Sequence, residues 1–192
     1  MEKTLNTYFS EITAAAQQIK FTDSKGQEMG IEEACSRIFE KLEELKLAGK
    51  VLHLIGNGAS ASIASHFGLD YLKTGGLKTN TFNDLSALTA YANDLTFDEV
   101  FAFPIARLVE ERDLLIAVSS SGNSPNIVRG LEAAKNKGAF VISVSGMTES
   151  NKIRGMGDMN MYFPMYEYGP IECAHTIFLH YILDTFVARS SD

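Results

Sequence analysis

The sequence predicts an α/β protein: a three-layer sandwich in which helices cover both faces of a central, mostly parallel five-stranded sheet. Two observations carry this expectation. Short apolar runs alternate with longer stretches whose apolar residues recur at helical spacing, and such alternation builds parallel strands joined by crossover helices. Two of the apolar runs also lead directly into loops of small residues that open onto a helix. Ligands of such sheets bind there, beyond the carboxyl ends of the strands. The chain reads as one domain over 1–192, with 1–48 as N-terminal helices and 49–192 as the α/β core.

The elements follow in order. A helix is expected over 5–19, then a polar connection over 21–30 containing Gly26. Residues 31–47 form an amphipathic helix, with Ala34, Ile38, Leu42 and Leu45 near one face. The first strand, 51–55, carries His53, which reads as a core histidine. The helix over 59–73 ends at Thr74-Gly75-Gly76, and a short strand follows over 78–82. Helices over 85–92 and 97–111 are separated by Asn93-Asp94. Strands over 114–119 and 139–144 flank a helix over 124–137, where Ser124 is a good N-cap and Pro125 fits the first turn. The last strand is expected over 159–163 and the last helix over 172–188.

Composition bounds the function. The 192 residues suffice for one real core, and 45% apolar and 21% charged residues are ordinary globular values. A formal charge of −7 argues against a nucleic-acid surface. Cys35 and Cys173, far apart in helical segments, read as reduced thiols. Without a membrane-length apolar run or a signal-peptide pattern, the expected location is cytoplasmic, away from any membrane.

Ser119-Ser120-Ser121-Gly122-Asn123-Ser124 places four serines in six residues between a strand and a helix start. Hydroxyls, backbone N–H groups and the helix dipole converge there, which suits a phosphate better than it suits a plain capped turn. Gly56-Asn57-Gly58-Ala59-Ser60 has the same design, with glycines that allow close backbone approach. It lacks the third glycine of a dinucleotide fingerprint and the Gly-Lys-Ser/Thr of a Walker loop, so no nucleotide cofactor is expected. Chemistry beyond phosphate binding must come from acids and imidazoles. His66 and Asp70, four apart, share a helix face, as do Glu172 and His175, three apart; His180 lies two turns beyond Glu172. His175 and His180 could equally pack at a subunit interface.

Together these pieces carry a resemblance to the sugar isomerase (SIS) domain, and within it to the phosphoheptose isomerase family. The matching residues are Gly56 to Ser60, His66 through Asp70, Ala92-Asn93-Asp94 with Phe97-Asp98-Glu99-Val100-Phe101, Ser119 through Ser124, and a terminal helix bearing Glu172, His175 and His180. The resemblance implies interconversion of sedoheptulose 7-phosphate and D-glycero-D-manno-heptose 7-phosphate through an enediol(ate), serving heptose, lipopolysaccharide or capsule synthesis. It implies Asp70 and His180 as the catalytic proton-transfer pair. It implies phosphate contacts from Gly58, Ser60, Ser119, Ser120, Ser121 and Ser124, and sugar-hydroxyl contacts from Asn57 and Asp94. It further implies a Zn2+ site of His66, Asp70, Glu172 and His180, with Glu172 also facing substrate, and a homotetramer.

The chain departs from the family pattern at Asp70, where Glu is usual, at Glu172, where Gln is usual, at Ala59 in place of Gly, and at Ile63 in place of Asp. Eight residues of helix put Glu172 and His180 about 12 Å apart along the axis. One ion can take both only if the helix begins after Glu172 or if neighbouring subunits supply different ligands. Two alternatives stand beside the isomerase. One is a non-catalytic SIS module binding a sugar phosphate or a replication-initiator-type protein partner. The other is an isomerase of another phosphosugar.

Overall fold

A computed structural model describes residues 4–189. The strands are β1 (Lys20–Asp23), β2 (Glu28–Met29), β3 (Val51–Gly56), β4 (Lys78–Asn80), β5 (Leu114–Ser119), β6 (Phe140–Ser145) and β7 (Met159–Tyr162). The helices are α1 (Leu5–Ala16), α2 (Ile31–Leu47), α3 (Ala59–Lys73), α4 (Leu85–Asp94), α5 (Ala102–Leu108), α6 (Pro125–Asn136) and α7 (Tyr168–Arg189). They build one sheet in the order β2-β1-β7-β6-β5-β3-β4. The five expected strands are parallel, and the class is the expected α/β sandwich. Of the two additional strands, β1 pairs antiparallel with β7, with Phe21 opposite Met161, and β2 pairs antiparallel with β1 at the edge.

Alternation along the strands divides the core. Leu52, Leu54, Leu114, Ile116, Val118, Ile142 and Val144 pack with α2, α3 and α7. Leu115, Ala117 and Val141 pack on the other face with α5 and α6. β5, paired on both sides, is buried along its whole length, as expected of a central parallel strand.

The segment expected as a polar connection over 21–30 is instead the β1–β2 hairpin. Asp23 Oδ1 accepts N–H bonds from Lys25 (2.8 Å) and Gln27 (2.9 Å), and Gly26 sits at φ +77°. The Asp-Ser-Lys-Gly run is therefore an Asx-type turn, and Phe21, 2% exposed, anchors the strand before it. The helix expected over 97–111 is also broken. A 3-10 turn, Phe97–Glu99, precedes α5. Pro104 lacks the N–H that a helix continuing from Phe97 would need, and it is tolerated in a first turn instead.

α7 begins at Tyr168, four residues ahead of Glu172, so the expected start at 172 is wrong. Pro170 fits its first turn. Its buried face includes Ile171, Ala174, Leu179, Leu183 and Phe186, while Ile177 and Tyr181 remain exposed, so the helix is apolar on more than its core face. Among the described residues no helix is long and apolar enough to cross a membrane.

Two buried histidines tie the layers together. His53 is the expected core residue: its Nε2 pairs with Asp113 Oδ2 at 3.1 Å. The Asp113 carboxylate also accepts the N–H groups of Val51 (3.0 Å) and Glu110 (2.8 Å), joining the starts of β3 and β5. Burial would raise the Asp113 carboxyl, but these donors outweigh it and hold it below the usual range. His175 is fully buried and its Nε2 lies 3.3 Å from the Ser145 carbonyl, which it serves as donor. Burial pushes its imidazole down to about 4, against the raising effect of that bond.

His175 makes stability pH-dependent. Unfolded chains take up its proton near the ordinary histidine value of about 6.5, whereas the folded protein resists until about 4. The unfolded state therefore binds more protons between those limits, and stability falls as pH drops through the window, by about 3 kcal/mol across it. Thermal melts from pH 7 to 4 should show this fall. His175→Gln can still donate to Ser145 but does not titrate, so its slope should be flatter.

Candidate functional site

The sheet order reverses between β3 and β5. From β3 the chain leaves through α3 to β4 at one edge, then returns to β5 on the opposite side of β3. α3 packs on one face of the sheet and α6 on the other. The loops that open these two helices therefore diverge from adjacent strand ends and leave a fork, the usual ligand position in such sheets. A cleft of about 280 Å³ fills the fork. Its walls are Asn57, Gly58, Ala59 and Ser60 from the first loop and Ser119, Ser120, Ser121 and Ser124 from the second, closed by Tyr168 and Glu172 of α7.

The local chain geometry explains why these residue types are needed. A Cβ at Gly56 would overlap the Ser60 carbonyl, so only glycine lets the first loop fold back on its helix. Gly122 sits at φ +62°, and a Cβ there would overlap the Asn151 side chain. Asn151 is itself buried and fixed by donation from Nδ2 to Ser145 Oγ (3.1 Å) and the Thr148 carbonyl (2.9 Å). The Ser-rich loop is held against it by Ile153 N–H donating to the Gly122 carbonyl (3.1 Å) and Lys152 N–H donating to Asn123 Oδ1 (3.0 Å).

The serine hydroxyls retain their protons for a ligand. Ser119 Oγ accepts from Gly122 N–H at 3.2 Å, and Ser121 Oγ accepts from Asn123 N–H at 3.3 Å. Ser120 Oγ is buried without a partner. Ser124 occupies the expected N-cap position of α6 but its side chain makes no capping bond. That role passes to Asn126, whose Oδ1 accepts the Ile127 N–H at 3.0 Å. Among the described residues, no basic side chain lines the cleft. An anion there would be met by hydroxyl donors and by the open N–H groups of two helix N-termini.

A second constellation lies farther along α3 and α7. Nitrogen and carboxylate oxygen atoms of His66, Asp70 and His180 lie within 4.8 Å of one another. His66 Nε2 is 3.2 Å from Asp70 Oδ2, and the His66 and His180 rings are 5.2 Å apart. The Phe67 ring packs against the His180 imidazole in a T-shaped contact, with centroids 4.8 Å apart. Two imidazoles and a carboxylate are a donor set that zinc accepts.

Glu172 does not join this cluster. It stands on the same continuous helix as His180, so the alternative in which the helix starts after Glu172 falls, and Glu172 faces the serine cleft instead. Asp94 ends α4, exposed, with its Oδ1 bound by Asn93 Nδ2 at 2.8 Å, and is not among the residues lining the cleft. Within one chain the structure thus brings together Asn57, Gly58, Ser60, the four serines and Glu172 at one place, and His66, Asp70 and His180 at another. Sequence reasoning missed Asn126, Asn151 and Tyr168. A buried Asn in the first turn of a helix reads as an ordinary polar residue until its partner across the fork is seen.

Known proteins resemble this chain in sequence and in fold. The family model described as the SIS domain matches residues 7–146. The phosphoheptose isomerase of Helicobacter pylori (strain HPAG1) is 37% identical over 149 residues, covering 74% of this chain and 77% of its own. That of Shewanella denitrificans is 30% identical over 177 residues, covering 85% and 90%. The solved structure of phosphoheptose isomerase from Neisseria gonorrhoeae superposes with a TM-score of 0.81 at 27% identity, covering 96% of this chain and 97% of that one.

Gly122 provides a direct check on the loop. Left-handed backbone costs an L-residue about 1–2 kcal/mol, and the overlap with Asn151 adds to it. Gly122→Ala should lower unfolding free energy by about 2–3 kcal/mol in urea titration. An unchanged unfolding midpoint would mean that the loop is not held as described.

Proposed function

Because the chain belongs to the phosphoheptose isomerase family of SIS-domain proteins, we propose that it interconverts sedoheptulose 7-phosphate and D-glycero-D-manno-heptose 7-phosphate, an aldose–ketose isomerisation supplying heptose for lipopolysaccharide or capsule. The observation that carries this reading is the His66–Asp70–His180 cluster. A module that only bound a phosphosugar or a protein would need the serine cleft and would have no use for a carboxylate flanked by two imidazoles.

The residues divide the work. Ser119, Ser120, Ser121, Ser124 and Ser60 hold the phosphate, and Glu172 accepts hydrogen bonds from sugar hydroxyls. Asp70 takes the proton from the carbon beside the carbonyl, and His180 moves the proton at the oxygen, giving the enediolate. Return of the proton to the neighbouring carbon completes the exchange with no net oxidation. His66, 3.2 Å from Asp70, orients that carboxylate. His66, Asp70 and His180 would hold a zinc ion, which when bound supplies a Lewis acid for the carbonyl.

We read the working form as a homo-oligomer, a tetramer by family resemblance, in the cytoplasm. The exposed apolar residues Ile177 and Tyr181 on α7, Leu69 and Leu72 on α3, and Leu5 and Phe9 on α1 support association. So does the separation of the cleft from the cluster. Eight residues between Glu172 and His180 amount to about 12 Å along α7, and a neighbouring copy can bring one chain's cleft to another chain's cluster.

The reaction is tested by incubating the protein with sedoheptulose 7-phosphate and detecting aldose product. Asp70→Asn and His180→Gln should each cut kcat by about 10²–10⁴-fold while phosphosugar binding survives. Full activity in both variants would refute the assignment, and phosphosugar binding without turnover in the wild type would favour the binding module.

The metal is tested separately. Protein purified without chelator should carry zinc by elemental analysis, and added zinc should raise the melting temperature through mass action. His66→Ala should abolish that rise. If zinc shifts neither protein, the three side chains act without an ion.

A further inference from the structure

The sequence reading gives Asn57 one role, contact with sugar hydroxyls. Its side chain is already engaged elsewhere. Asn57 Nδ2 donates to Asn126 Oδ1 at 2.9 Å, and Asn126 Nδ2 donates back to Asn57 Oδ1 at 2.8 Å. The two amides form a closed reciprocal pair. Asn57 comes from the loop after β3 and Asn126 from the first turn of α6, after β5. The pair therefore spans the fork at the point where the two helices part toward opposite faces of the sheet.

We propose that Asn126 is a positioning residue for phosphate binding: through Asn57 it sets the gap between the two phosphate loops and the orientation of the amide that Asn57 shows to the ligand. Asn126 is 1% exposed and does not line the cleft, whereas Asn57 is half-buried and does. Asn126 Oδ1 spends both lone pairs, one on Asn57 and one on the Ile127 N–H at 3.0 Å. The residue is thus fixed to α6 at one end and to the opposite loop at the other. Asn57 keeps one N–H and one lone pair free, and the reciprocal bonds leave them a single direction. The described residues lining the cleft offer hydroxyl, amide and backbone donors, so affinity depends on these neutral donors being aimed correctly, and a small change in loop spacing is felt by several hydrogen bonds at once. The inference rests on the cleft being the phosphate site of the proposed isomerase.

The test measures inorganic phosphate affinity by calorimetry, and KM and kcat with sedoheptulose 7-phosphate. Asn126→Ala should raise both the phosphate Kd and KM by about tenfold, the loss of roughly one to two hydrogen bonds. Its kcat should stay within about twofold, because the proton-transfer cluster is untouched; a general loss of structure would lower kcat as well and so overturn the idea. Asn57→Ala breaks the pair while leaving Asn126 bound to Ile127, and serves if Asn126→Ala does not fold; it should raise the phosphate Kd to a similar degree. The double variant should be no weaker than the worse single one, since both remove one shared pair. Multiplying effects, or a phosphate Kd unchanged in Asn126→Ala, would overturn the proposal. Wild-type protein that binds phosphate but does not isomerise would remove the enzymatic reading and leave this inference to be judged on Kd alone. Wild-type protein that binds no phosphate would overturn both.

Discussion

The parallel pairing of β3 with β5 is the constraint on which the rest depends. Five residue pairs, from Leu52 with Leu114 to Gly56 with Val118, set these strands side by side and bring their carboxyl ends level. The intervening chain must then leave through α3 and β4 on one side and come back on the other. The fork between the two small-residue loops is the geometric result. The hydroxyl-rich cleft needs no special construction beyond residues small enough to let two backbones approach, and the buried His53–Asp113 pair secures the opposite ends of the same two strands.

α7 couples the two halves of the chemistry. It lines the cleft with Glu172, contributes His180 to the imidazole–carboxylate cluster, and packs His175 against the end of β6. Glu172 and His180 meet different neighbours because about 12 Å of helix axis separates them, and His175, between them, turns into the core. A rigid rod holding both ends fixes their separation, so cleft and cluster cannot close on one another within the chain.

Much of this was legible in the sequence, for reasons that differ by element. The limits of α2, α3 and β5 were predicted to the residue, because strong periodicity or a continuous apolar run coincided with clear stop signals such as Thr74-Gly75-Gly76. The β1–β2 hairpin was missed because a four-residue strand with one large apolar residue, Phe21, carries little pattern. Its Asp23–Gly26 turn was the available sign. The break before α5 could have been read from Pro104. In the site, the serines and glycines announced themselves through loop chemistry. Asn126 and Asn151 did not, because their importance lies in a partner far away in sequence. The grouping of Glu172 with His66, Asp70 and His180 came from resemblance, and helix geometry places that carboxylate with the serines instead.

The burial of β5 bears on how the protein breathes. All six of its residues are buried and it is bonded on both sides, so its amides belong to the part of the molecule that opens only on global unfolding. The two-residue strand β2 lies at the sheet edge, bonded on one side and without a buried residue, so local opening begins there and stops at β1, which Phe21 anchors. The Ser-rich loop hangs from the end of β5 and is pinned by Asn151. The Ser-rich loop thus leaves the end of a fully buried strand, four strands away from the sheet edge at β2.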